Sequence, residues 1–265
     1  MDKLPVNHMQ LDRLVLDWMA EVRTYILKEI QRPIIVNTKS NMRDLVTNLD
    51  QNVEKIYIEK IKQYDPNAQI LSEEGFGDEI TDLTGPVWII DPIDGTMNFI
   101  KQRDEYASML AYFYDGQAQG AWIMDVVKNE IVHGGPFQKV WLNQNLMEPP
   151  VERSLEQSLL SFSGIHLLYD HFQYQTMARA ALGYRVYGSA GISFIRLLKG
   201  QLGGFTSVLK PWDFAAGLIL CQALGLQVKT LDGQTVNVLS SNVILAAQSL
   251  VATDIKMLTN TSSNL

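Results

Sequence analysis

The 265-residue chain contains a single cysteine, Cys221, and this scarcity limits its chemistry. One cysteine cannot form an intrachain disulfide, so we expect a reducing compartment, with the cytoplasm as the default location. Cys221 lies in an apolar segment with helical spacing, which predicts a buried small hydrophobic residue. A nucleophilic cysteine would instead need a neighbouring base and an exposed, electropositive setting.

Excess positive charge and long apolar runs are also absent. The formal charge is −7, from 22 Lys and Arg against 29 Asp and Glu, so a nucleic-acid or anionic-membrane partner has no electrostatic support. No apolar run approaches the ~20 residues of a membrane-spanning helix, and we expect no signal peptide, because the first residues lack a basic region followed by an apolar one. The hydrophobic fraction of 46% is enough for one large core or two closely packed halves.

Hydrophobic periodicity predicts two amphipathic helices and then a strand-rich section. The first helix covers residues 9–30, and the second begins near Thr47, which has the spacing of a capping box with Asp50. Asp115-Gly116 has the composition of a hairpin turn. Strands are predicted at residues 70–72, 87–90, 106–114, 119–126, 130–133 and 140–142.

The second half of the chain alternates strands with helices, which predicts layered α/β packing. The pattern breaks at Met147–Pro150. We therefore expect one compact unit with an N-terminal α+β half, 1–150, carrying the main acidic motifs, and a C-terminal α/β half, 151–265, carrying a Trp-Asp motif. The predicted strands of this half are 158–162, 184–187, 204–208 and 243–247, and its helices are 166–181, 191–199, 212–224 and 253–258.

The most informative segment is Trp88–Phe99, in which an apolar run meets Asp91-Pro92 and then Asp94-Gly95-Thr96. Pro92 lacks an N–H and disfavours helix at the residue before it, so we expect the strand to end at Asp91. The turn would present two carboxylates to one point, where a hard cation such as Mg²⁺ relieves their repulsion. The glycine and the helix start beside them offer backbone N–H groups that can bind a phosphate. The competing interpretation is an Asp-Pro turn with a solvated Asp-Gly, and Thr96 as an ordinary N-cap.

Two further acidic elements follow other predicted structure. Glu73-Glu74 comes after a short strand, and only one of the pair can enter a cluster, because neighbouring side chains of an extended segment point to opposite faces. Asp213 stands near a predicted helix start, followed by small residues at 215–217 that permit close packing. The alternative explanations are that Glu73 and Glu74 are solvated loop residues and that Asp213 only caps its helix.

These motifs make the chain resemble the inositol monophosphatase family, within the superfamily of lithium-sensitive, Mg²⁺-dependent phosphatases. The likeness spans roughly residues 10–250 and is carried by four segments in the correct order. They are Asp44–Asp50, Glu73-Glu74, Asp91–Phe99 and Trp212–Gly217. The resemblance implies a layered αβαβα sandwich of the inositol monophosphatase and fructose-1,6-bisphosphatase type, assembled as a homodimer.

The resemblance also implies a site for two or three Mg²⁺ ions. Glu73, Asp91 and the Ile93 carbonyl would bind the first ion. Asp91, Asp94 and Asp213 would bind the second, so that Asp91 bridges, and Glu73 would share a looser third ion with water. Thr96 and Asp50 would orient and deprotonate the attacking water, with Glu73 as a further catalytic residue. The residues implied to contact the substrate are Asp94, Gly95, Thr96, Ser189, Ala190 and Asp213.

The implied activity is Mg²⁺-dependent hydrolysis of small phosphate monoesters, above all inositol monophosphate, by direct in-line attack of a metal-activated water. No Cys, His or Ser is placed as a nucleophile, and the four histidines, His8, His133, His166 and His171, show no ligand spacing. The alternatives are the 2′-phosphate of NADP or fructose 1,6-bisphosphate on the same metals, or a moonlighting regulatory protein that contacts transcription machinery. A membrane or nucleic-acid partner is not expected.

One departure from the family bears on the substrate. Animal members have a glutamate seven residues before the late aspartate, where it contacts inositol hydroxyls, and here that position is Thr206. The missing carboxylate weakens the expectation of tight inositol recognition. Lys210 and Arg185 either add positive charge near the pocket, for a second phosphate or a nucleotide, or are surface residues. Lys39 and Asp44 lie in a segment similar to a metal-site loop of the family and receive no fixed role.

Overall fold

The strands of this chain form two large sheets, and helices cover both faces of each. The computed structural model describes residues 7–32, 36–38 and 45–262. In these ranges the helices are α1 (His8–Glu29), α2 (Asn48–Tyr64), α3 (Thr96–Lys101), α4 (Gly164–Leu168), α5 (Tyr174–Ala180), α6 (Ala190–Leu198), α7 (Pro211–Ala223) and α8 (Ser249–Ser262). The strands are β1 (Val36–Thr38), β2 (Leu45–Thr47), β3 (Gln69–Ser72), β4 (Pro86–Asp94), β5 (Ala107–Tyr114), β6 (Gln117–Asp125), β7 (Glu130–Gly135), β8 (Gln138–Leu142), β9 (Asn145–Leu146), β10 (Leu159–Phe162), β11 (Gly183–Arg185), β12 (Gly204–Leu209), β13 (Gln227–Thr230) and β14 (Asn242–Ala247).

The larger sheet has the strand order β3-β4-β5-β6-β7-β8-β9. From β4 to β9 it is an antiparallel meander, whereas β3 is parallel to β4. The predicted hairpin is confirmed: β5 and β6 meet at Asp115-Gly116, whose φ angles of 46° and 76° match the right-handed twist of the strands. The parallel β3–β4 pair brings the ends of both strands, and the acids that follow them, to one edge.

The smaller sheet has the order β11-β10-β12-β14-β13. β10 is parallel to both β11 and β12, while β14 is antiparallel to its two neighbours. Sequence periodicity did not predict β13. β1 and β2 form a separate two-stranded antiparallel pair just before α2.

Helices α6 and α7 form the layer between the two sheets, and their sequences show why. α7 is apolar around its whole circumference, which is the pattern of a helix buried on all sides. A Cβ on Gly217 would lie 2.4 Å from a ring carbon of Phe194, so α6 and α7 pack in close contact, as the small residues at 215–217 predicted. Cys221 is buried in this layer, and burial raises the pKa of its thiol, which confirms it as an inert core residue.

Outer helices complete the layers. The apolar faces of α1 and α2 pack on the larger sheet around Trp88 and Trp122, whose rings stack with centroids 5.9 Å apart. On the far face of the smaller sheet, α5 and α8 bury Tyr174 and Val251. The resulting order of helix, sheet, helix, sheet and helix layers confirms the predicted αβαβα sandwich.

One predicted element is wrong, and the domain division stays a prediction. The helix expected at residues 166–181 breaks into α4, a 3₁₀ turn and α5, because Asp170, Phe172 and Gln173 have positive φ angles that an α-helical hydrogen-bond ladder cannot accommodate. The two large sheets lie on either side of residues 147–150, yet one hydrophobic core includes side chains from both.

None of the helices in the described residues combines the length and apolar composition needed to cross a lipid bilayer.

Candidate metal centre and active site

Strand β4 carries the central motif through a bulge. Asp91 pairs with Met109 and Asp94 with Ala107, so β4 has one more residue than β5 between these pairs. Residues three apart on a regular strand point to opposite faces, and the extra residue of a bulge returns them to the same side. The prediction that the strand ends at Asp91 is therefore wrong. Pro92 lies in the bulge, where a residue without an N–H is tolerated.

Asp91, Asp94 and Asp213 each offer a carboxylate oxygen, and these oxygens lie within 4.8 Å of one another. Asp91 is buried, and its Oδ1 has no hydrogen-bond partner among the described residues. Burial, followed by the negative charges of Glu73 and of the other two aspartates, raises the pKa of Asp91 well above its usual range. An ionised Asp91 carboxylate without a neighbouring positive charge would therefore destabilise the fold.

Asp94 is held by the first turn of α6. Its carboxylate accepts hydrogen bonds from the Ser189 hydroxyl, from Ala190 N at 3.1 Å and from Gly191 N at 2.7 Å. Burial raises the pKa of Asp94 to about 6, although these three hydrogen bonds act in the opposite direction. Ser189 also caps α6, since its hydroxyl accepts from Ile192 N at 3.1 Å. One helix start thus fixes a carboxylate of the cluster.

Asp213 lies in the first turn of α7, and its Oδ2 accepts from Lys210 N at 2.7 Å. Burial raises the pKa of Asp213 to about 8, and the charges of Asp94 and Glu73 add to the rise. The capping role considered from the sequence is therefore present. Asp213 can cap the helix and also belong to the carboxylate cluster, because the capping bond uses Oδ2 and the other oxygen, Oδ1, remains available to its neighbours.

Glu73 approaches this cluster from the adjacent strand. Ser72 pairs with Ile90 in the parallel β3–β4 ladder, so Glu73 follows its strand at the level of Asp91. Its oxygens are not within the 4.8 Å set of the three aspartates. Its charge nevertheless contributes to the raised pKa of four other acids at the site, which are Asp50, Asp91, Asp94 and Asp213.

The structure brings the two predicted relay residues together with the Ile93 carbonyl. The Thr96 hydroxyl lies 3.3 Å from Asp50 Oδ1 and 3.2 Å from Ile93 O, and it has one proton to donate to either. Asp50 Oδ2 accepts from Thr47 N at 2.8 Å and from the Thr47 hydroxyl, which completes the capping box of α2. Burial raises the pKa of Asp50 to about 6, near the value that suits a proton acceptor at neutral pH.

Gly95 is required where β4 turns into α3. Its φ is 86°, and a Cβ there would lie 2.9 Å from the Ser189 Cβ. A larger residue would separate the Asp94 segment from the start of α6.

A cavity of about 250 Å³ opens beside the cluster. Asp94 and Asp213 form part of its wall, and so do Ser189 and Ala190, the two residues expected from the resemblance to face the substrate. The remaining wall is built mainly of hydroxyl and apolar groups: Phe162, Ser163, Gly164, Gly188, Ser193, Phe205, Ser207 and Leu209.

Thr206, the position seven residues before Asp213, does not line the cavity. Side chains alternate along β12, and Phe205, Ser207 and Leu209 face the cavity. Thr206 faces the opposite way, where its hydroxyl lies 3.0 Å from the Tyr174 hydroxyl. Residues one position apart on a strand face opposite sides, so Thr206 and Ser207 cannot both line the cavity. Ser207 is the residue at the cavity, and the absence of an acid on β12 stands.

The two basic residues considered for the pocket, Lys210 and Arg185, lie outside the cavity wall. Lys210 is exposed, its Nζ lies 5.3 Å from the centroid of the Trp212 ring, and its charge slightly lowers the pKa of Asp213. Arg185 is also exposed and donates to Tyr184 O at 2.8 Å. Lys39 and Asp44 lie outside the described residues.

Sequence reasoning missed two residues that hold the site together. Asn98 donates to Glu105 O at 2.9 Å and to Tyr187 O at 2.6 Å, which ties α3 to the segment before Ser189. Glu54 is buried one helical turn after Asp50 and accepts three hydrogen bonds from the loop that carries Glu73. A charged residue on the buried face of α2, four positions after Asp50, was the signal available for Glu54.

The residues present fit a divalent cation. Three carboxylates lie in mutual reach, those of Asp91 and Asp94 buried and that of Asp213 partly buried, and Asp91 Oδ1 has no partner. Among the described residues no lysine, arginine or histidine forms an ion pair with them. Oxygen donors with formal negative charge are the ligands that hard divalent ions prefer. Such an ion would offset the desolvation and repulsion that raise the pKa values of these groups.

We expect the metal-free protein to become less stable as the pH rises from about 6 to about 8. Carboxyls whose pKa is raised on folding bind more protons in the folded than in the unfolded state, so the free energy of unfolding falls as the pH rises through their folded pKa values. Asp213→Asn removes the group whose pKa is about 8, so the free energy of unfolding of this variant should fall less steeply as the pH rises. Urea unfolding of both proteins in EDTA measures this, and parallel slopes would contradict it.

The comparisons with known proteins agree with this site. The inositol monophosphatase family model matches residues 9–262, so the chain belongs to the inositol monophosphatase family and is a phosphatase. Inositol-1-monophosphatase from Bacillus subtilis (strain 168) is 33% identical over 245 residues, covering 91% of this chain and 92% of that protein. The Nus factor SuhB of Escherichia coli (strain K12) is 30% identical over 229 residues, covering 83% of this chain and 84% of that protein.

A solved structure extends the likeness to three dimensions. An IMPase/NADP phosphatase complexed with Mg²⁺ and phosphate superposes with a TM-score of 0.87 at 28% identity, covering 96% of each chain. The resemblance and the fold inferred from the sequence are thus confirmed.

Proposed function

We propose that this protein hydrolyses small phosphate monoesters in a Mg²⁺-dependent reaction, with inositol monophosphate as its preferred class of substrate. The observation that carries the proposal is the triad of Asp91, Asp94 and Asp213, two buried and one partly buried, whose oxygens lie within 4.8 Å of one another beside the cavity. A buried cluster of repelling carboxylates is costly to the fold, and a cation site explains its presence.

The proposed ligands divide into two overlapping sets. Glu73, Asp91 and the Ile93 carbonyl would hold one ion, while Asp91, Asp94 and Asp213 would hold a second. A third ion would be held more loosely beside Glu73. When bound, Mg²⁺ lowers the pKa of water, offsets phosphate charge and stabilises a departing alkoxide.

The protein's own groups then orient the reaction. Asp50 accepts a proton from the attacking water through the Thr96 hydroxyl, which lies 3.3 Å from Asp50 Oδ1. The backbone N–H groups of Gly95 and Thr96, at the start of α3, hold the phosphate. Ser189 and Ala190 line the space for the alcohol portion. Attack is direct and in line.

The cavity favours a small polyol over larger substrates. Its volume of about 250 Å³ is below the roughly 300–1,000 Å³ of pockets that enclose drug-sized ligands. The hydroxyls of Ser163, Ser193 and Ser207 suit a ligand rich in hydroxyl groups. NADP would have to leave most of its structure outside, and fructose 1,6-bisphosphate would need cations for its second phosphate, so both rank below inositol monophosphate.

We expect phosphate release from inositol 1-phosphate that requires Mg²⁺, stops with EDTA and is inhibited by Li⁺. The measurement is a panel of inositol monophosphates, NADP and fructose 1,6-bisphosphate, ranked by kcat/KM at saturating Mg²⁺. A higher kcat/KM for NADP than for the inositol monophosphates would make NADP the preferred substrate, and the proposed Mg²⁺-dependent hydrolysis would stand. No phosphate release from any member of the panel would reject the hydrolase proposal and leave a regulatory role, in line with the name of the Escherichia coli relative.

We also propose a homodimer formed through the surface of α4, α5 and β11. This surface exposes large apolar side chains that line a common groove: Leu168, Tyr184 and Val186 are 68%, 52% and 50% exposed. Ile165, Tyr169 and Phe172 add to it. Exposed apolar groups at this density are typical of a protein–protein contact.

Leu168→Asp should turn a dimer into a monomer, because it places a charge in the buried part of the contact. Light scattering after size-exclusion chromatography measures the mass. Val151→Asp is the matched control, since Val151 is 73% exposed outside this surface and its substitution should leave the dimer intact. A monomeric wild-type protein, or a dimer that survives Leu168→Asp, would contradict the proposed interface.

A further inference from the structure

Helix α2 carries two buried acids one turn apart, and they serve different parts of the site. Asp50 contacts Thr96. Glu54, which is 0% exposed, turns both carboxylate oxygens towards the loop between β3 and β4. Its Oε1 accepts from the Ser72 hydroxyl at 2.7 Å and from Phe76 N at 2.8 Å, and its Oε2 accepts from Glu74 N at 2.7 Å.

These three bonds surround Glu73. Ser72 precedes it and Glu74 follows it, so the Glu54 carboxylate fixes the backbone on both sides of the Glu73 Cα. The bonds are charge-assisted and shielded from water, which makes them stronger than neutral hydrogen bonds at the surface. Ser72 also restrains the later part of the loop, because its hydroxyl accepts a hydrogen bond from Gly77 N at 3.2 Å.

The loop has few apolar anchors of its own. Gly75 and Phe76 are exposed, and the Phe76 ring contacts the Lys55 Nζ at 4.2 Å from its centroid, at the surface. Glu73 and Glu74 are only partly buried. Polar contacts therefore hold the backbone around Glu73, and they include the bonds to the buried Glu54 carboxylate.

We propose that Glu54 is a positioning residue that presets Glu73 for cation binding. The inference rests on the proposed function. Glu54 is not one of the carboxylates within 4.8 Å of one another, and its two oxygens accept hydrogen bonds from the residues around Glu73, so it is not a candidate ligand itself. Its effect is to lower the conformational entropy that Glu73 would lose on binding an ion. Since α2 also carries Asp50, one rigid helix sets the relay and the cation loop relative to each other.

Glu54→Gln tests this, because an amide keeps the shape but turns a donor towards a backbone N–H or towards the Ser72 hydroxyl. Loss of an outer partner of a metal ligand typically weakens metal affinity by roughly 10–100-fold. We expect a rise of that size in the Mg²⁺ dissociation constant measured by calorimetry. At saturating Mg²⁺, the KM for inositol 1-phosphate should change far less than the Mg²⁺ requirement.

A second readout does not involve activity or metal. Hydrogen–deuterium exchange of metal-free protein should be faster in peptides that cover residues 72–78 of Glu54→Gln, with the rest of α2 unchanged. Glu152→Gln is the matched control, since Glu152 accepts from Ser249 N and Leu250 N, both at 3.0 Å, at the start of α8. It should leave both the Mg²⁺ affinity and the exchange of the loop at wild-type values.

Ser72→Ala provides a milder change if Glu54→Gln does not fold. It removes one of the three bonds and should shift Mg²⁺ affinity and loop exchange in the same direction by a smaller factor. Wild-type Mg²⁺ affinity and wild-type exchange in both variants would overturn the inference alone. Wild-type protein that binds no Mg²⁺ would overturn the proposed function, and the inference with it.

Discussion

Asp91→Asn should lower kcat/KM for inositol 1-phosphate by roughly 10³-fold or more, because the several kcal/mol that a catalytic cation contributes correspond to a factor of that size. Asp91 belongs to both proposed ligand sets, so a single substitution disturbs both ions. The same change should stabilise the metal-free protein. It removes a buried carboxyl whose pKa is raised by burial and by the charges of four neighbouring acids.

Opposite changes in activity and stability distinguish this prediction from simple damage to the fold. Thermal unfolding in EDTA should give a higher Tm for Asp91→Asn than for the wild-type protein. Asp82→Asn is the control for the chemical change itself, since Asp82 is exposed and its hydrogen bonds are to the neighbouring Thr84, whose N donates at 2.8 Å. Near-wild-type turnover by Asp91→Asn would remove the bridging role.

Thr96→Ala should reduce kcat by roughly 10²–10⁴-fold, the range for loss of a positioned proton-transfer group. The Thr96 hydroxyl connects Asp50 to the Ile93 carbonyl without being a proposed ligand. The Mg²⁺ concentration for half-maximal activity should therefore stay close to the wild-type value. Steady-state kinetics at varied Mg²⁺ separate the two effects.

Thr96→Ser retains the hydroxyl and should keep most of the rate, so it separates loss of the hydroxyl from loss of packing. Equal rates for Thr96→Ala and the wild-type protein would exclude Thr96 from the relay. A rise in the Mg²⁺ requirement without a fall in kcat would assign it a role in cation binding instead.

Local sequence features predicted the parts of the site that lie on strand ends and helix starts. Asp91 and Asp94 lie near the end of the apolar strand β4, and Glu73 follows its parallel neighbour β3, so the register of two strands was enough to bring them near each other. Asp213 was predictable because the small residues after it allow α7 to pack closely on α6.

The features that sequence reasoning missed depend on which way a side chain faces. Thr206 and Ser207 differ by one position on β12, and only the folded strand shows that Ser207 faces the cavity. Glu54 has no local motif, because its partners lie 18–22 residues away in the chain. The bulge at Pro92 likewise depends on the number of residues in the partner strand β5.

Anomalous diffraction from crystals grown with Mn²⁺ tests the convergence of the acids on a cation most directly. Mn²⁺ accepts the same oxygen ligands as Mg²⁺ and has a measurable anomalous signal. We predict at least one peak within coordination distance of carboxylate oxygens from Asp91, Asp94 and Asp213, with a second peak between Asp91 and Glu73. Crystals that bind Mn²⁺ only elsewhere, or none even with phosphate present, would contradict the account.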